Sequence, residues 1–300
     1  MDCNCDSGRS IVPVSYTGWA VAEMRAIESE RRDALFHDVL ARKLTGDKGK
    51  ELLACLQMTD EFNFEMVMRT KVIDDLIYQI VRSHSDVVLN LAAGLDTRPY
   101  RLDLPSQLRW IEADYPGVVQ YKNKTLADDK PMCQLERRPV DLSDDKARRD
   151  LLRQVNGETR QGTVITEGIL GYLTEENVEA LARDLHAQES IKWWITGVTS
   201  REFASWMHER IWSSMNPTLA PWIQEVIRDV MTPMLASSIQ SRLAQQGTEF
   251  FRAFGWETAA FHSFISEGQR LGRMPPLTWP SKATSGLEQS GIAILRRLDS

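Results

Sequence analysis

A mostly apolar run, Val87-Val88-Leu89-Asn90-Leu91, stops at the small residues Ala92-Ala93-Gly94, and Leu95-Asp96-Thr97-Arg98 follows. A short apolar run of this kind reads as a parallel strand buried on both faces. The small-residue turn after it marks a place where backbone can come close to a ligand, because a glycine adopts conformations and approaches that other residues do not. Open α/β sheets bind their ligands beyond the carboxyl ends of the strands. The segment therefore points to a nucleotide-like cofactor, and the remainder of the chain has to say which one.

From residue 87 onward strand-like and helix-like patterns alternate. Candidate strands are 87–91, 108–113, 134–140, 163–166, 192–198, 256–262 and 291–298, with helices at 116–127, 144–155 and 175–188 between them. Such alternation predicts an α/β fold with a seven-stranded, doubly wound, mostly parallel sheet. No clear helix separates the last two strands, so an antiparallel edge is expected. Ahead of the sheet, 17–30, 33–44 and 61–82 read as helices, with Gly46-Asp47-Lys48-Gly49 as a turn. This gives an N-terminal helical segment, 1–84, and a core, 85–300. Residues 200–254 break the rhythm and look wholly helical, an insertion carrying Trp206, Met207, Trp212, Met215, Trp222, Met231 and Met234. They read either as the packed core of a helical subdomain or as a lid over an apolar substrate, since Met and Trp adapt to irregular ligand shapes.

Charge and cysteines exclude several classes. The net charge is −6 with no basic run, which argues against duplex nucleic acid as a partner. No apolar run is long enough to span a bilayer. The four cysteines, Cys3, Cys5, Cys55 and Cys133, match no zinc spacing, so no metal is expected and the thiols read as reduced and structurally idle. Met1 to Ser10 is polar and no apolar leader segment follows, so a cytoplasmic location is the default expectation. Homo-oligomerisation is left open.

The turn after the first strand narrows the cofactor. A dinucleotide fingerprint needs three glycines, and only Gly94 is present; no Gly-Lys-Ser/Thr phosphate loop occurs. A cofactor without phosphates to cradle fits better, and S-adenosylmethionine is one. Its ribose hydroxyls want an acceptor at the end of the second strand, where Asp114 stands, with Glu112 as the rival on the same face. Its carboxylate wants a fork of donors, which Arg supplies best. Arg69 falls on the long helix in register with Phe62, Met66, Ile73, Leu76 and Ile80, and a guanidinium on an apolar stripe needs a partner. That partner is either the cofactor or a sheet carboxylate. Asp141-Leu142 follows the third strand, where the carboxylate could accept from the adenine amino group with Leu142 beside the ring, or could cap the next helix. Glu167 ends the fourth strand near the topological switch point, in reach of the cofactor's ammonium or sulfonium end.

These residues together resemble the leucine carboxyl methyltransferase family, in the bacterial branch that includes polyketide O-methyltransferases. The likeness is carried by Met24-Arg25-Ala26-Ile27-Glu28-Ser29 and Asp33-Ala34-Leu35-Phe36-His37-Asp38, by Arg69-Thr70-Lys71-Val72-Ile73-Asp74-Asp75, and by Leu91 to Arg98. Glu112-Ala113-Asp114-Tyr115-Pro116, Val140-Asp141-Leu142 and Glu167-Gly168-Ile169-Leu170-Gly171-Tyr172-Leu173 follow in order. The resemblance implies a class I methyltransferase fold using S-adenosylmethionine. It implies that Arg69 holds the cofactor carboxylate, that Arg25, in an N-terminal segment that varies across the family, also binds the cofactor, and that Gly94 allows close approach. Asp114 would bind the ribose, Asp141 and Leu142 would flank the adenine, and Glu167 would meet the amino-acid end. Two positions depart from the family pattern. Ala92 replaces the usual first glycine of the turn, which predicts a looser backbone approach there, and Asp38-Val39 replaces the usual Asp-Pro.

The expected reaction is in-line methyl transfer to an oxygen, with proximity and alignment supplying most of the catalysis. A carboxylic acid acceptor, with a pKa of about 4, needs no base; a phenol, at about 10, needs one or a lowered pKa. Nothing near any histidine in the sequence orients it, so a mechanism without a base, on a carboxyl or acidic hydroxyl, is expected; His208 in the insertion is the candidate if a base is used, with His186 and His262 near strand ends as alternatives. The apolar insertion points to a hydrophobic small-molecule acceptor. An NAD-dependent oxidoreductase of the same fold is the competing enzyme reading, and a cofactor-binding protein without turnover is the competing non-enzyme reading.

Overall fold

The computed structural model describes residues 16–55, 60–83, 85–214, 218–275 and 280–299. Cys3, Cys5 and Met215 lie outside these residues, and the side chains of Cys55 and Phe62 are outside those described. Seven strands form one sheet in the order β3-β2-β1-β4-β5-β7-β6. They are β1 (Val87–Leu91), β2 (Arg109–Asp114), β3 (Gln134–Pro139), β4 (Gly162–Thr166), β5 (Ile191–Val198), β6 (Trp256–Ser263) and β7 (Gly291–Arg297). β1 pairs in parallel with both β2 and β4, so the chain winds one way through β2 and β3 and the other way through β4 and β5. The switch point therefore lies where β1 and β4 end, the crevice in which such sheets hold ligands.

The strand sequences explain the layers. β1 and β4 are buried along their whole length. Successive side chains point to opposite faces, and Val88 packs in one core with Trp110, Ile165 and Ile195, while Val87, Leu89 and Leu91 pack in another with Val164 and Trp194. The first core is closed by α3 (Asp60–Ser83) through Met68, Ile73, Leu76 and Ile77. The second is closed by α6 (Asp145–Gly157) and α7 (Glu175–His186), through Leu151, Leu152, Leu181 and Leu185. The remaining helices of the parallel half are α4 (Arg98–Arg101) and α5 (Pro116–Thr125).

The antiparallel edge is present, because β7 runs against both β5 and β6. The expectation that no helix separates the last two strands is corrected: α12 (Phe264–Arg270) and α13 (Ser281–Glu288) lie between them. Both are too short to give a clear helical period. α12 is nonetheless signalled by Ser263, whose side chain accepts from the Ser266 amide as an N-cap.

The N-terminal helices also differ from expectation. α1 (Tyr16–Ser29) stands as read, but α2 is Val39–Cys55 rather than 33–44, and Gly46 to Gly49 lies inside it instead of ending it. The backbone does leave helical geometry at Gly46, where φ is 56°. The helix resumes because its second half is pressed onto α1: a Cβ on Gly49 would come within 2.7 Å of the Trp19 carbonyl oxygen, and Leu52 is fully buried. Tertiary packing outweighs the local breakers. At the start of α2, Asp38 accepts from the Ala41 amide at 3.0 Å and so serves as the cap, while Val39 sits 76% exposed.

The insertion after β5 is mostly helical in the described residues. It comprises α8 (Arg201–Ser214), α9 (Pro221–Glu225), a π-turn (Val226–Met231), α10 (Thr232–Gln240), α11 (Arg242–Gln246) and a 3₁₀ segment (Gly247–Phe254). The π-turn ends two residues before Pro233, which has no amide hydrogen and would crowd a regular helical turn. No helix among the described residues is long and apolar enough to cross a membrane.

Candidate active site

A cavity of about 760 Å³ opens at the switch point, beyond the carboxyl ends of β1, β2 and β4 and beneath α10. Arg25, Arg69, Gly94, Asp114 and Glu167 line its polar end, and Met24, Met66, Phe203, Met207, Met231 and Met234 line an apolar part.

The turn after β1 builds the floor. Ala92 has φ 53° and Gly94 φ 49°, and Ala92 is the one described non-glycine residue with positive φ. A side chain in this region costs about 1–2 kcal/mol, a cost a glycine at this position would not bear. The Ala92 amide donates to the Ala113 carbonyl at 2.8 Å, so the turn is kept and the alanine is strained within it. A Cβ on Gly94 would meet no atom within 4 Å, so the space in front of this residue is open cavity.

Asp114 and Glu112 separate cleanly. Asp114 lines the cavity, and its carboxylate accepts from the amides of Gly94 at 2.6 Å and Tyr115 at 2.7 Å. Burial raises its pKa against those two amides. Glu112 is turned away, buried against Lys122 and Arg137 at 2.7 Å each. Of Asp141 and Leu142, Leu142 lines the cavity. Asp141 is exposed at its rim, its carboxylate accepting from the Ser143 amide and hydroxyl at 2.9 and 2.6 Å. It does not cap α6; Asp144 does, accepting from Lys146 and Ala147.

The two readings of Arg69 meet in one arrangement. Arg69 lines the cavity and also pairs with a sheet carboxylate: its Nε donates to Glu167 at 3.1 Å and its Nη1 to Glu65 at 3.2 Å. The second Glu167 oxygen accepts from Arg98 at 2.7 Å. Burial pushes the Glu167 carboxyl up, but Arg98 and Arg69 outweigh it and hold its pKa below the ordinary value. Arg98 is the residue that spacing did not single out. Its side chain is 2% exposed, and it donates to Asp74 at 2.7 Å and Asp96 at 2.8 Å as well as to Glu167. It thus ties the turn after β1 to α3 and to the end of β4. Asp96 also accepts from the Arg98 amide and from Asn90, both at 2.8 Å, so it orders the turn. Burial works against its charge, yet Arg98 and the cations behind it keep Asp96 ionised far below the usual range.

Arg25 lines the cavity wall but is occupied, donating to Asp38 at 2.9 Å and to the Leu95 carbonyl at 2.5 Å. Tyr172 was also not singled out as a site residue; it lines the cavity and donates to Thr17 at 2.9 Å, joining α1 to the loop after β4. The histidines lie elsewhere. His208 is outside the cavity lining and stacks edge-on toward Trp212, because its neighbour Met207 takes the inward face of α8. His186 packs on Trp256, and His262 bonds Glu267 at 2.8 Å. Of the insertion's Trp and Met residues, Met207, Met231 and Met234 line the cavity, whereas Trp206 is in the core and Trp212 is exposed. Among the described residues no group of three metal-ligating side chains occurs.

The sheet order and the site at its switch point define the class I methyltransferase fold. A DUF574-family protein from Streptomyces avermitilis superposes with a TM-score of 0.53 at 13% identity, covering 92% of this chain and 96% of that one. A putative methyltransferase from Thermobifida fusca gives 0.52 at 13% identity, covering 98% and 97%. The chain belongs to the leucine carboxyl methyltransferase family, whose model matches residues 19–186. Among curated relatives, a putative S-adenosyl-L-methionine-dependent methyltransferase from Streptomyces avermitilis is 34% identical over 185 residues, 58% of this chain and 65% of that protein. One from Rhodococcus jostii is 36% identical over 148 residues, 47% of this chain and 50% of that protein. The chain therefore spans just under two thirds, or less, of the length of these relatives.

Proposed function

We propose that the protein is an S-adenosylmethionine-dependent O-methyltransferase acting on a hydrophobic small molecule. The carrying observation is the single cavity end that collects an Arg donor fork (Arg69), two carboxylates (Asp114, Glu167) and an unobstructed glycine (Gly94). That donor set fits the cofactor part by part. Arg69 would hold its carboxylate, Glu167 its ammonium, Asp114 its ribose hydroxyls and Leu142 its base, while the backbone at Gly94 leaves room for close approach. Asp141, at the rim, would reach the adenine amino group by turning from Ser143. The bound cofactor supplies an electrophilic methyl group on a positively charged sulfur. What this chain contributes is alignment: the carboxylates favour a cationic ligand, and the apolar chamber excludes water and holds the acceptor in line. The Met-rich wall supports an apolar acceptor such as a polyketide or another secondary metabolite, since flexible thioethers fit irregular shapes.

Calorimetric titration tests the reading. S-adenosylhomocysteine is expected to bind, NAD is not, and Arg69→Met should weaken S-adenosylhomocysteine binding about tenfold or more. Binding of NAD but not S-adenosylhomocysteine would replace this reading with the oxidoreductase one. S-adenosylhomocysteine release from S-adenosylmethionine in the presence of an acceptor separates an enzyme from a binding protein.

A further inference from the structure

The acidic side chains around the cavity differ in how fully their oxygens are used. Both oxygens of Asp96, Asp114 and Glu167 accept hydrogen bonds. Asp229 is held at both oxygens by Arg228. Glu65 is different. Its Oε1 accepts from Arg69 at 3.2 Å, and its Oε2 has no hydrogen-bond partner among the described residues. The side chain is 15% exposed and lines the cavity. The atom is not among the fully buried unpaired ones, so it opens onto the cavity, where a ligand that donates a hydrogen bond can reach it.

Glu65 also stands at the border between the two parts of the cavity. Arg69, one helical turn further along α3, faces the polar end. Met66, its immediate neighbour, packs with Met231 and Leu235 of the insertion. Of the two cations among the described lining residues, Arg69 is engaged by Glu65 and Glu167 and would also be taken by the cofactor carboxylate, and Arg25 is engaged by Asp38 and the Leu95 carbonyl. An anionic acceptor would find no free cation and would face the Glu65 charge.

Building on the methyltransferase reading, we infer that Glu65 recognises the methyl acceptor through a hydroxyl hydrogen, so that the substrate is a neutral phenol or enol rather than a carboxylate, and that Glu65 Oε2 takes the proton. In the step, the O–H bond breaks toward Glu65 as an oxygen lone pair forms the O–CH₃ bond. The S–CH₃ bond breaks with its electron pair staying on sulfur, which loses its positive charge. Glu65 then returns the proton to solvent. Burial, and next the nearby Glu167 charge, raise the Glu65 pKa despite Arg69, making it a stronger base than an exposed carboxylate. Tyr172 is also near Arg69, and it stays protonated because burial raises its pKa above the ordinary value.

The test is calorimetry on the full chain saturated with S-adenosylhomocysteine, with 2-naphthol and 2-naphthoate as probes at neutral pH. Naphthol is expected to bind about tenfold tighter or better, and Glu65→Gln should bring the two within about threefold by admitting naphthoate. Equal or tighter naphthoate binding by the wild type, no measurable naphthol binding, or a gap that Glu65→Gln leaves unchanged would overturn the inference alone. Failure to bind S-adenosylhomocysteine at all would overturn the methyltransferase reading with it. For any hydroxyl substrate turned over, Glu65→Gln should lower kcat about 100-fold with little change in KM; an unchanged kcat would overturn the proton transfer.

Discussion

A methyl group added at Gly94 should separate folding from ligand binding. Gly94 has φ 49°, where an L-residue costs about 1–2 kcal/mol. Glycine's extra freedom in the unfolded chain offsets roughly 0.5–1 kcal/mol of that. The new Cβ meets no protein atom within 4 Å, so no clash adds to the cost. Gly94→Ala should therefore lose only about 0.5–1 kcal/mol of stability, or roughly 2 °C in Tm for a chain of this size. The same methyl projects into the space assigned to the cofactor. Forcing a group into an occupied site costs about 1–3 kcal/mol, so S-adenosylhomocysteine affinity should fall about tenfold or more. Urea denaturation and calorimetric titration measure the two quantities on one preparation. Unchanged affinity would mean that no ligand approaches this backbone. A loss of several kcal/mol in stability would mean that the space is not open.

Three further outcomes follow from the same geometry. Ala92→Gly relieves a strained φ of 53° and should raise stability by about 0.5–1 kcal/mol in urea denaturation; a loss would show that the Ala92 methyl contributes packing that outweighs the strain. Arg98→Met leaves Asp74, Asp96 and Glu167 without their shared partner and should cost about 3–5 kcal/mol by the same assay; a change under 1 kcal/mol (about fivefold in the folding constant) would refute its role as the hub. Acid should unfold the protein through Asp38, Asp96 and Glu167, whose folded pKa values are all depressed. Depressed carboxyls contribute stability that is present above their unfolded pKa of about 4 and is lost as pH falls through the folded values. Glu65 and Asp114, with raised values, act in the opposite sense and soften the fall. Urea midpoints at pH 7, 5 and 3 should show the main loss below about 4; a main loss between 7 and 5 would assign acid lability to histidines instead.

Much of the fold was legible because a strand buried on both faces must be apolar along its length. β1, β4 and the alternation that follows them could be read directly, with ends shifted by a residue or two. Where short-range signals were weak, the reading failed. α12 and α13 are too brief to show a period, and α2 continues past Gly46 only because Leu52 and Gly49 are held against α1. The site divides in the same way. Arg69, Asp114 and Glu167 were legible because a charge on an apolar stripe, or at the carboxyl end of a buried strand, has few places to go. Arg98 was not, since nothing in its spacing shows that Asp74 and Glu167, distant in the chain, arrive on either side of it. Glu65 could have been noticed from its four-residue spacing to Arg69, but spacing does not tell which of its oxygens is left without a partner.

What the sequence determined by itself was the parallel sheet, the turn at its switch point, and the residue types suited to a cationic nucleoside ligand. Periodicity, glycine count and charge placement are local properties that survive without coordinates. The tertiary structure decided which carboxylate faces the cavity, placing Asp114 inward and Glu112 on Lys122 and Arg137. It placed His208 outside the cavity lining and made Arg98 the joint of three elements. It also left one Glu65 oxygen without a hydrogen-bond partner among the described residues. Each of these depends on which side chains meet across long separations in the chain, and only the folded packing sets that.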